Sequence, residues 1–175
     1  MEPMLILVDK DNNVKGYERK LKVHQEGHLH RAFSIFVVNN SGELMLQKRA
    51  AHKYHSGGLW ANTCCSHPLK GEDPENTVHN RLMEEMGFDC VLEPIFEFIY
   101  RAELDNDLVE YELDQVYIGR YELEPKPNPL EVGDWKWVDI DFLKRDLIKS
   151  PNEYVYWLKA AFDQFYTTYK QLSSD

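Results

Sequence analysis

Ala61-Asn62-Thr63-Cys64-Cys65-Ser66-His67-Pro68 is the stretch around which the rest of the chain is organised, together with the segment 73–87 that follows it. Side chains alternate with a period of two along an extended segment, so Cys65 and His67 can point to the same side. A thiol and an imidazole on one side of a strand form a candidate reactive pair.

The segment after this stretch carries a strong set of helix signals. Asp73 stands at the N-cap position and Pro74 at the first helical position. Gly87 provides a left-handed stop directly after Glu84-Glu85-Met86. A helix over 74–86 therefore connects the reactive stretch to a carboxylate pair at the far end of the helix. This combination is the outline of a site for a diphosphate and a metal ion.

Composition limits the classes of protein to which this chain can belong. With 175 residues and 43% hydrophobic content, it is expected to form a single domain over residues 1–175 with a filled core. A formal net charge of −10 argues against general nucleic-acid binding, because no basic excess is available to displace phosphate counterions. Three cysteines, two of them adjacent, do not make a disulfide framework and indicate a reducing compartment.

The N-terminal segment argues against export. Its apolar run, Leu5–Val8, is too short for a signal peptide and has no basic flank. No apolar run in the sequence approaches the length of a transmembrane span. The sequence therefore predicts a cytoplasmic protein that does not associate with membranes.

Hydrophobic periodicity and turn residues predict alternating strands and helices around one core. The expected strands cover residues 5–8, 14–17, 32–38, 44–48, 91–104, 109–121 and 135–138. Asp141 is expected to cap a short helix that runs to Lys149. Ser150-Pro151-Asn152-Glu153 has the pattern of a capping box and predicts a last helix over 154–172.

Four ionisable residues, Lys20, His24, His28 and His30, fall within eleven residues of one another. Their residue types alone indicate a solvated loop. Metal ligation becomes a competing interpretation because another imidazole, at His67, and several carboxylates follow later in the chain.

An acidic row marks the strand predicted at 109–121. Glu110, Glu112 and Asp114 alternate with other residues, so they share one face of the sheet. Residue type alone favours an ordinary solvent-facing row. Three neighbouring acids on one face nevertheless repel one another unless a cation or a proton compensates them.

A family resemblance rests on the helical segment. Glu72, followed after seven residues by Asn80-Arg81-Leu82-Met83-Glu84-Glu85-Met86-Gly87-Phe88, resembles the Nudix box G-x5-E-x7-R-E-U-x-E-E-x-G-U, in which U is a large apolar residue. Ser66 stands where the box has its first glycine, and Asn80-Arg81 stand where it has Arg-Glu. These departures, together with Asn62–Pro68, resemble the type I isopentenyl-diphosphate isomerases, a branch of the Nudix fold. The resemblance extends from Lys20 to Trp157.

The resemblance implies an α/β fold, a Nudix-like mixed β-sheet packed between α-helices in a single domain. It implies conversion of isopentenyl diphosphate to dimethylallyl diphosphate in isoprenoid biosynthesis, by a metal-dependent 1,3-allylic proton shift on this small-molecule substrate. A Nudix diphosphate hydrolase is the alternative, but it would need a complete box, and Arg81 replaces one of the box carboxylates. A non-catalytic diphosphate- or metal-binding module is a second alternative, which would tolerate loss of Cys65 and Glu112.

The resemblance also implies a metal site with nitrogen and oxygen ligands. One divalent metal, Mn²⁺, Mg²⁺ or Zn²⁺, is expected on three histidines and two glutamates, namely His24, His30, His67, Glu110 and Glu112. His28 competes for either of the first two positions.

The remaining candidate residues are expected to bind and convert the substrate. Cys65 and Glu112 resemble the acid–base pair of the family, with Tyr100 supporting the carboxylate and the face of Trp157 stabilising a cation. The diphosphate is expected on four basic residues and on a Mg²⁺ ion held by Glu85; the basic residues are Lys20, Arg49, Lys53 and Arg81. The sequence assigns no role to Cys64 and no oligomeric state.

Overall fold

Strand β3 (His30–Val38) is the centre of the computed structural model, which describes residues 2–175. Eight of its nine residues are buried, as expected for a nearly continuous apolar run. The other strands are β1 (Met4–Val8), β2 (Val14–Arg19), β4 (Glu43–Arg49), β5 (Trp60–Ala61), β6 (Cys64–Ser66), β7 (Leu92–Glu103), β8 (Val109–Arg120) and β9 (Val132–Asp139). The helices are α1 (Lys20–Glu26), α2 (Pro74–Met86), α3 (Ile140–Lys149) and α4 (Tyr156–Ser174).

All nine strands within residues 2–175 belong to one mixed sheet. β3 pairs in parallel with β8 along its whole length, and β7 extends the sheet beyond β8. The other edge of β3 is shared by three antiparallel partners: β6 at its middle, β1 at its start and β4 at its end. β3 therefore brings the reactive stretch in β6 and the acidic row in β8 to the two sides of a single strand.

Helices cover both faces of this sheet. Side chains of β3 that face α2 alternate with side chains that face α4, so the period of two divides the core into two layers. The α2 layer includes Ile35, Val37, Val78 and Leu82, and the α4 layer includes Phe36, Val38, Phe162 and Phe165. The predicted fold class, an α/β mixed sheet packed between helices, is confirmed.

Helix α2 spans the residues predicted for it. Asp73 occupies the N-cap position with an extended backbone, although its side chain makes no cap hydrogen bond. Gly87 ends the helix in the left-handed region at φ 74°. A Cβ at this position would lie 2.2 Å from the carbonyl oxygen of Lys126, so only glycine fits both the turn and the neighbouring loop.

The prediction of a solvated loop at residues 20–30 is wrong, because Lys20–Glu26 form helix α1. The first turn has no acidic residue and Arg19 makes no side-chain cap, so the local start signals are absent. Burial of Val23 and His24 stabilises the helix instead, and Gly27 stops it in the left-handed conformation.

Two predicted helix starts also differ from the structure. The carboxylate of Asp139, and not of Asp141, caps α3 by accepting a hydrogen bond from the backbone N–H of Phe142 at 2.7 Å. Pro151–Glu153 forms a short 3₁₀ turn, and α4 begins only at Tyr156.

A contact with a distant part of the chain explains why α4 begins later than predicted. The backbone N–H of Val155 donates to the carbonyl of Trp60 at 3.0 Å, which holds the chain extended between the 3₁₀ turn and the helix.

No helix within residues 2–175 combines the length and apolar character needed to cross a membrane.

Candidate active site

A cleft at one end of the sheet gathers the residues that the sequence singles out. Its inner cavity has a volume of about 90 Å³ and adjoins a wider groove of about 590 Å³. All predicted site residues line the inner cavity except His24 and His30, which are fully buried and contact Glu110 in its wall. The narrow inner part suits a small group, and the wider groove gives access to it.

Two buried histidines are each oriented by a backbone carbonyl at Nδ1, so that Nε2 faces Glu110. Nδ1 of His24 lies 2.7 Å from the carbonyl oxygen of Lys20, and Nδ1 of His30 lies 2.9 Å from that of His28. A carbonyl oxygen only accepts, so both Nδ1 atoms carry the proton. Nε2 is therefore the atom of each ring through which a metal ion could bind, as in metal-binding histidines with a backbone partner, and it lies 2.8 Å (His24) and 3.5 Å (His30) from Oε1 of Glu110.

The donor atoms of a metal centre converge on Glu110. One ligand atom each from His24, His30, His67 and Glu110 lies within 4.8 Å of all the others. Nε2 of His30 is buried and has no hydrogen-bond partner among residues 2–175, a costly arrangement that a bound cation would relieve. Oε1 of Glu112 lies 3.0 Å from Nε2 of His67 and adds a fifth donor. This mixed set of nitrogens and oxygens fits a divalent metal.

His28 does not reach this centre. Its imidazole is exposed and lies 2.7 Å from the carboxylate of Glu26, while its backbone carbonyl accepts the hydrogen bond from His30. The expectation that His28 competes as a ligand is therefore wrong, and the reason is that β3 begins at His30 and turns that side chain inward.

The pKa values of the two glutamates of the centre are shifted in opposite directions. Burial raises the pKa of Glu112 well above its ordinary value, and the negative charge of Glu110 adds to this effect. Burial acts the same way on Glu110, but its close contacts with Glu112 and with the three histidines hold the pKa of Glu110 well below its ordinary range. A divalent cation among these groups would take the place of the proton on Glu112. Burial also lowers the pKa of His67 to about 3, so its imidazole is neutral, as a metal ligand must be.

Cys65 and Glu112 reach the cleft from opposite edges of β3. Ser34 of β3 pairs with Cys65 on one edge and with β8, which carries Glu112, on the other. Burial raises the pKa of the Cys65 thiol to about 12, and the charge of Arg49 offsets only part of this rise. The thiol therefore keeps its proton at neutral pH and can serve as an acid.

Tyr100 and Trp157 complete the walls around this pair. Tyr100 lies directly opposite Glu112 in the β7–β8 ladder, and burial with the charge of Glu112 raises the pKa of the phenol. Tyr100 is thus a neutral hydrogen-bond donor beside that carboxyl group. Trp157 of α4 is 4% exposed, and the guanidinium carbon of Arg49 lies 5.2 Å from the centre of its ring, which places a cation over the indole face.

Basic side chains line the same cleft from four parts of the chain. Lys20 stands at the start of α1, Arg49 at the end of β4, Lys53 in the loop that follows and Arg81 in α2. Nη2 of Arg81 donates to Glu85 at 2.6 Å. Four cations that share one concave surface form a natural site for a polyanionic group such as a diphosphate.

Glu85 is held from its other side by residues with no predicted role. Its Oε2 accepts from the amide of Gln47 at 2.9 Å and from the thiol of Cys64 at 3.4 Å. Cys64 is fully buried against α2, because adjacent residues of β6 face opposite sides of the sheet. Cys64 therefore stabilises Glu85, whereas its neighbour Cys65 lines the cleft.

Comparison with known proteins agrees with this geometry. A family model described as the NUDIX domain matches residues 28–158. The chain is 50% identical over 164 residues to "Isopentenyl-diphosphate Delta-isomerase 1" of Aromatoleum aromaticum, which covers 94% of this chain and 93% of the relative. It is 54% identical to "Isopentenyl-diphosphate Delta-isomerase 2" of Photorhabdus laumondii, over 91% and 90% of the two chains. The chain belongs to the isopentenyl-diphosphate Delta-isomerase family.

Solved structures show that this isomerase family member has a Nudix fold. A crystal structure of a Deinococcus radiodurans protein superposes with a TM-score of 0.77 at 17% identity, over 92% of this chain and 98% of the other. The MutT protein of Methanosarcina mazei superposes with a TM-score of 0.66 at 17% identity, over 81% and 96%. At these identities the likeness concerns the fold alone.

Several polar residues of this family member line the cleft although the sequence analysis did not select them, among them Gln47, His55 and Glu131. His55 is buried, and its Nε2 lies 3.6 Å from Oε2 of Glu110. Gln47 contacts Glu85, and Glu131 forms an ion pair with Lys53. Gln47 precedes Arg49 by two residues on β4, so strand alternation could have revealed it. His55 and Glu131 lie in loops, for which no periodic signal exists.

Proposed function

We propose that this protein converts isopentenyl diphosphate to dimethylallyl diphosphate through an acid–base pair formed by Cys65 and Glu112. The observation that carries the proposal is the arrangement of these two groups on opposite edges of β3, in one cleft with four basic side chains. The names of the relatives supply the substrate, and the cleft supplies the groups that the reaction needs.

The reaction moves a double bond by one position along the carbon chain. One proton adds to the terminal carbon of the alkene, and another leaves the allylic carbon on the far side of the branched centre. The intermediate state has carbocation character, so it needs an acid and a base on separate sides and shielding from water. The protonated thiol of Cys65 and the carboxyl of Glu112 fit these two positions, with Tyr100 directly opposite Glu112 in the β7–β8 ladder.

A divalent metal fits the centre formed by His24, His30, His67, Glu110 and Glu112, and we propose Mn²⁺, Mg²⁺ or Zn²⁺ there. Such an ion would supply the positive charge that keeps both glutamates ionised. We also propose that Glu85 holds a Mg²⁺ ion that accompanies the diphosphate. Lys20, Arg49, Lys53 and Arg81 would bind the phosphate oxygens and keep the reacting carbons near Cys65.

Isomerisation is favoured over hydrolysis by the contacts of Arg81. This residue stands at a position where the Nudix box has a carboxylate, and its guanidinium binds both Glu84 and Glu85, at 2.7 Å and 2.6 Å. A hydrolase needs such carboxylates to bind metal ions and activate water. Arg81 in place of one of these carboxylates leaves fewer of them to activate water and favours binding of phosphate oxygens.

The proposed cellular setting rests on charge and cysteine chemistry. Three cysteines, two of them adjacent, do not make a disulfide framework and favour a reducing compartment. We propose that the enzyme acts in the cytoplasm on its small-molecule substrate, without a nucleic-acid partner, as the net charge of −10 suggests.

Product analysis tests the proposed reaction. The protein is incubated with isopentenyl diphosphate and Mg²⁺, and the products are followed by proton NMR together with a phosphate assay. The proposal predicts dimethylallyl diphosphate without phosphate release. Phosphate release without an allylic product would indicate a hydrolase, and an unchanged substrate would indicate a binding module; either result would overturn the proposal.

Substitution of Trp157 tests whether its indole faces the developing cation. Trp157→Phe is expected to retain part of the turnover, because a benzene ring is a weaker cation–π partner than an indole. Trp157→Leu is expected to lose about thirtyfold in kcat, which corresponds to about 2 kcal/mol for a desolvated cation–π contact. The measurement is turnover corrected for the folded fraction. Equal turnover in the two variants would assign this buried side chain to core packing alone.

A further inference from the structure

Glu131 brings a negative charge into the group of cations proposed for the diphosphate. It belongs to the loop between β8 and β9, and the backbone N–H of Ala50 donates to its carbonyl oxygen at 3.1 Å. This hydrogen bond fixes the loop beside the chain segment that carries Arg49 and Lys53. The side chain of Glu131 is part of the lining of both the inner cavity and the wider groove.

The carboxylate of Glu131 contacts two of the four cations. Its Oε2 forms an ion pair with Nζ of Lys53 and lies 3.9 Å from Nη2 of Arg81. Burial alone would raise the pKa of Glu131, but Lys53, Arg81 and Lys20 together lower it, so the group is charged at neutral pH. A fixed anion thus lies among residues whose proposed task is to bind an anion.

The placement of Glu131 has a consequence for an incoming anion beyond the compensation of Lys53. Glu84 and Glu85 already compensate the charge of Arg81, so Glu131 is not needed there, and its ion pair with Lys53 ties up a cation that faces the cleft. A carboxylate at this point repels any incoming phosphate and competes with it for the ammonium group of Lys53. Its effect therefore depends on the charge that the ligand carries.

We propose that Glu131 is a specificity-determining residue that selects diphosphate carrying a divalent cation over diphosphate without one. This inference rests on the proposed function, since it concerns the same diphosphate site. Metal-free diphosphate carries several negative charges, which the carboxylate repels. A divalent cation bound to the phosphates cancels two of these charges, so the carboxylate repels the metal complex much less than it repels the free diphosphate. The ammonium group of Lys53 can then leave the carboxylate of Glu131 and bind a phosphate oxygen.

Removing the charge of Glu131 should act mainly on the metal-free ligand. In Glu131→Gln the repulsion disappears while the shape of the side chain is kept. Because the group is partly exposed, solvent screens part of its effect, and metal-free pyrophosphate is expected to bind about tenfold more tightly at low ionic strength. Binding of the Mg²⁺ complex is expected to change much less. A role limited to holding Lys53 in place predicts weaker binding of both forms.

Glu84→Gln is the matched control for this substitution. Glu84 accepts from Nη1 of the same arginine at 2.7 Å, but its side chain is 59% exposed and does not contact Lys53. The Glu84→Gln variant should therefore have the same preference for the metal complex as the parent protein. The two variants remove one negative charge each, so an effect of net charge alone would appear equally in both.

The experiment is a calorimetric titration with inorganic pyrophosphate, with and without excess Mg²⁺. The protein keeps the metal of its histidine–glutamate centre, which elemental analysis verifies before and after each titration. The proposal predicts that the ratio of the two dissociation constants falls about tenfold in Glu131→Gln and not in Glu84→Gln. An unchanged ratio, or weaker binding of metal-free pyrophosphate, would overturn it. Because pyrophosphate binding requires no turnover, a failed isomerase assay together with the predicted ratio would overturn only the proposed reaction.

Discussion

Replacing Cys65 by serine is expected to lower kcat by about 10²–10⁴-fold, the usual contribution of a general acid or base. Serine keeps the size and polarity of the side chain, but an alcohol is a much weaker acid than a thiol. Because the diphosphate is expected on basic residues elsewhere in the cleft, KM for isopentenyl diphosphate should change little. The measurement is steady-state kinetics with detection of the allylic product.

Cys64→Ser provides the matched control for this variant. Cys64 is fully buried on the α2 side of β6, where its thiol donates to Glu85 at 3.4 Å. A serine hydroxyl can donate to the same carboxylate, so most of the activity should remain. If the Cys64 variant lost more activity than the Cys65 variant, the assignment of the reactive thiol would be wrong by one residue.

Removing the metal from the histidine–glutamate centre is expected to reduce turnover to background. Without a cation, the carboxyl of Glu112 holds a proton, because burial and the charge of Glu110 raise its pKa. A protonated Glu112 cannot accept a proton from the substrate. Adding back one equivalent of Mn²⁺, Mg²⁺ or Zn²⁺ per chain, in the presence of Mg²⁺ for the substrate, should restore activity.

His30→Ala and His28→Ala separate this metal site from general effects of histidine loss. Nε2 of His30 is buried and lacks a hydrogen-bond partner among the described residues, whereas the imidazole of His28 is exposed. His30→Ala should weaken metal affinity by more than the 10–100-fold typical of a residue that only supports a ligand. His28→Ala should leave the affinity unchanged. Full activity of a protein that elemental analysis shows to be free of metal would leave the cluster without a catalytic role.

The parts of the fold with strong local signals could be predicted from the sequence. Helix α2 has Pro74 at its first position and Gly87 directly after its last, and its bounds agree with the prediction. The long strands β7 and β8 follow from alternating side chains, which also indicated that Glu110 and Glu112 share one face. These features depend on neighbouring residues along the chain, so the sequence carries them directly.

Features that depend on tertiary contacts could not be predicted from the sequence. Helix α1 has no side-chain cap at its N-terminus and only one buried apolar residue, Val23, so its stability comes from packing around His24. The start of α4 depends on a hydrogen bond between Val155 and Trp60, which are far apart in the sequence. His55 and Glu131 reach the cleft from loops, and only the folded chain brings them near Glu110 and Lys53.

Proton exchange with solvent during the reaction tests the central claim most directly. If Cys65 and Glu112 act from opposite edges of β3, the proton added to the substrate is not the proton removed from it. The metal-loaded protein is equilibrated in D₂O and given isopentenyl diphosphate for a single turnover, and the product is examined by NMR. The account predicts dimethylallyl diphosphate with deuterium in a methyl group from the first turnover. A product formed in D₂O without deuterium would show that one proton is passed directly along the carbon chain, and would contradict the two-sided mechanism.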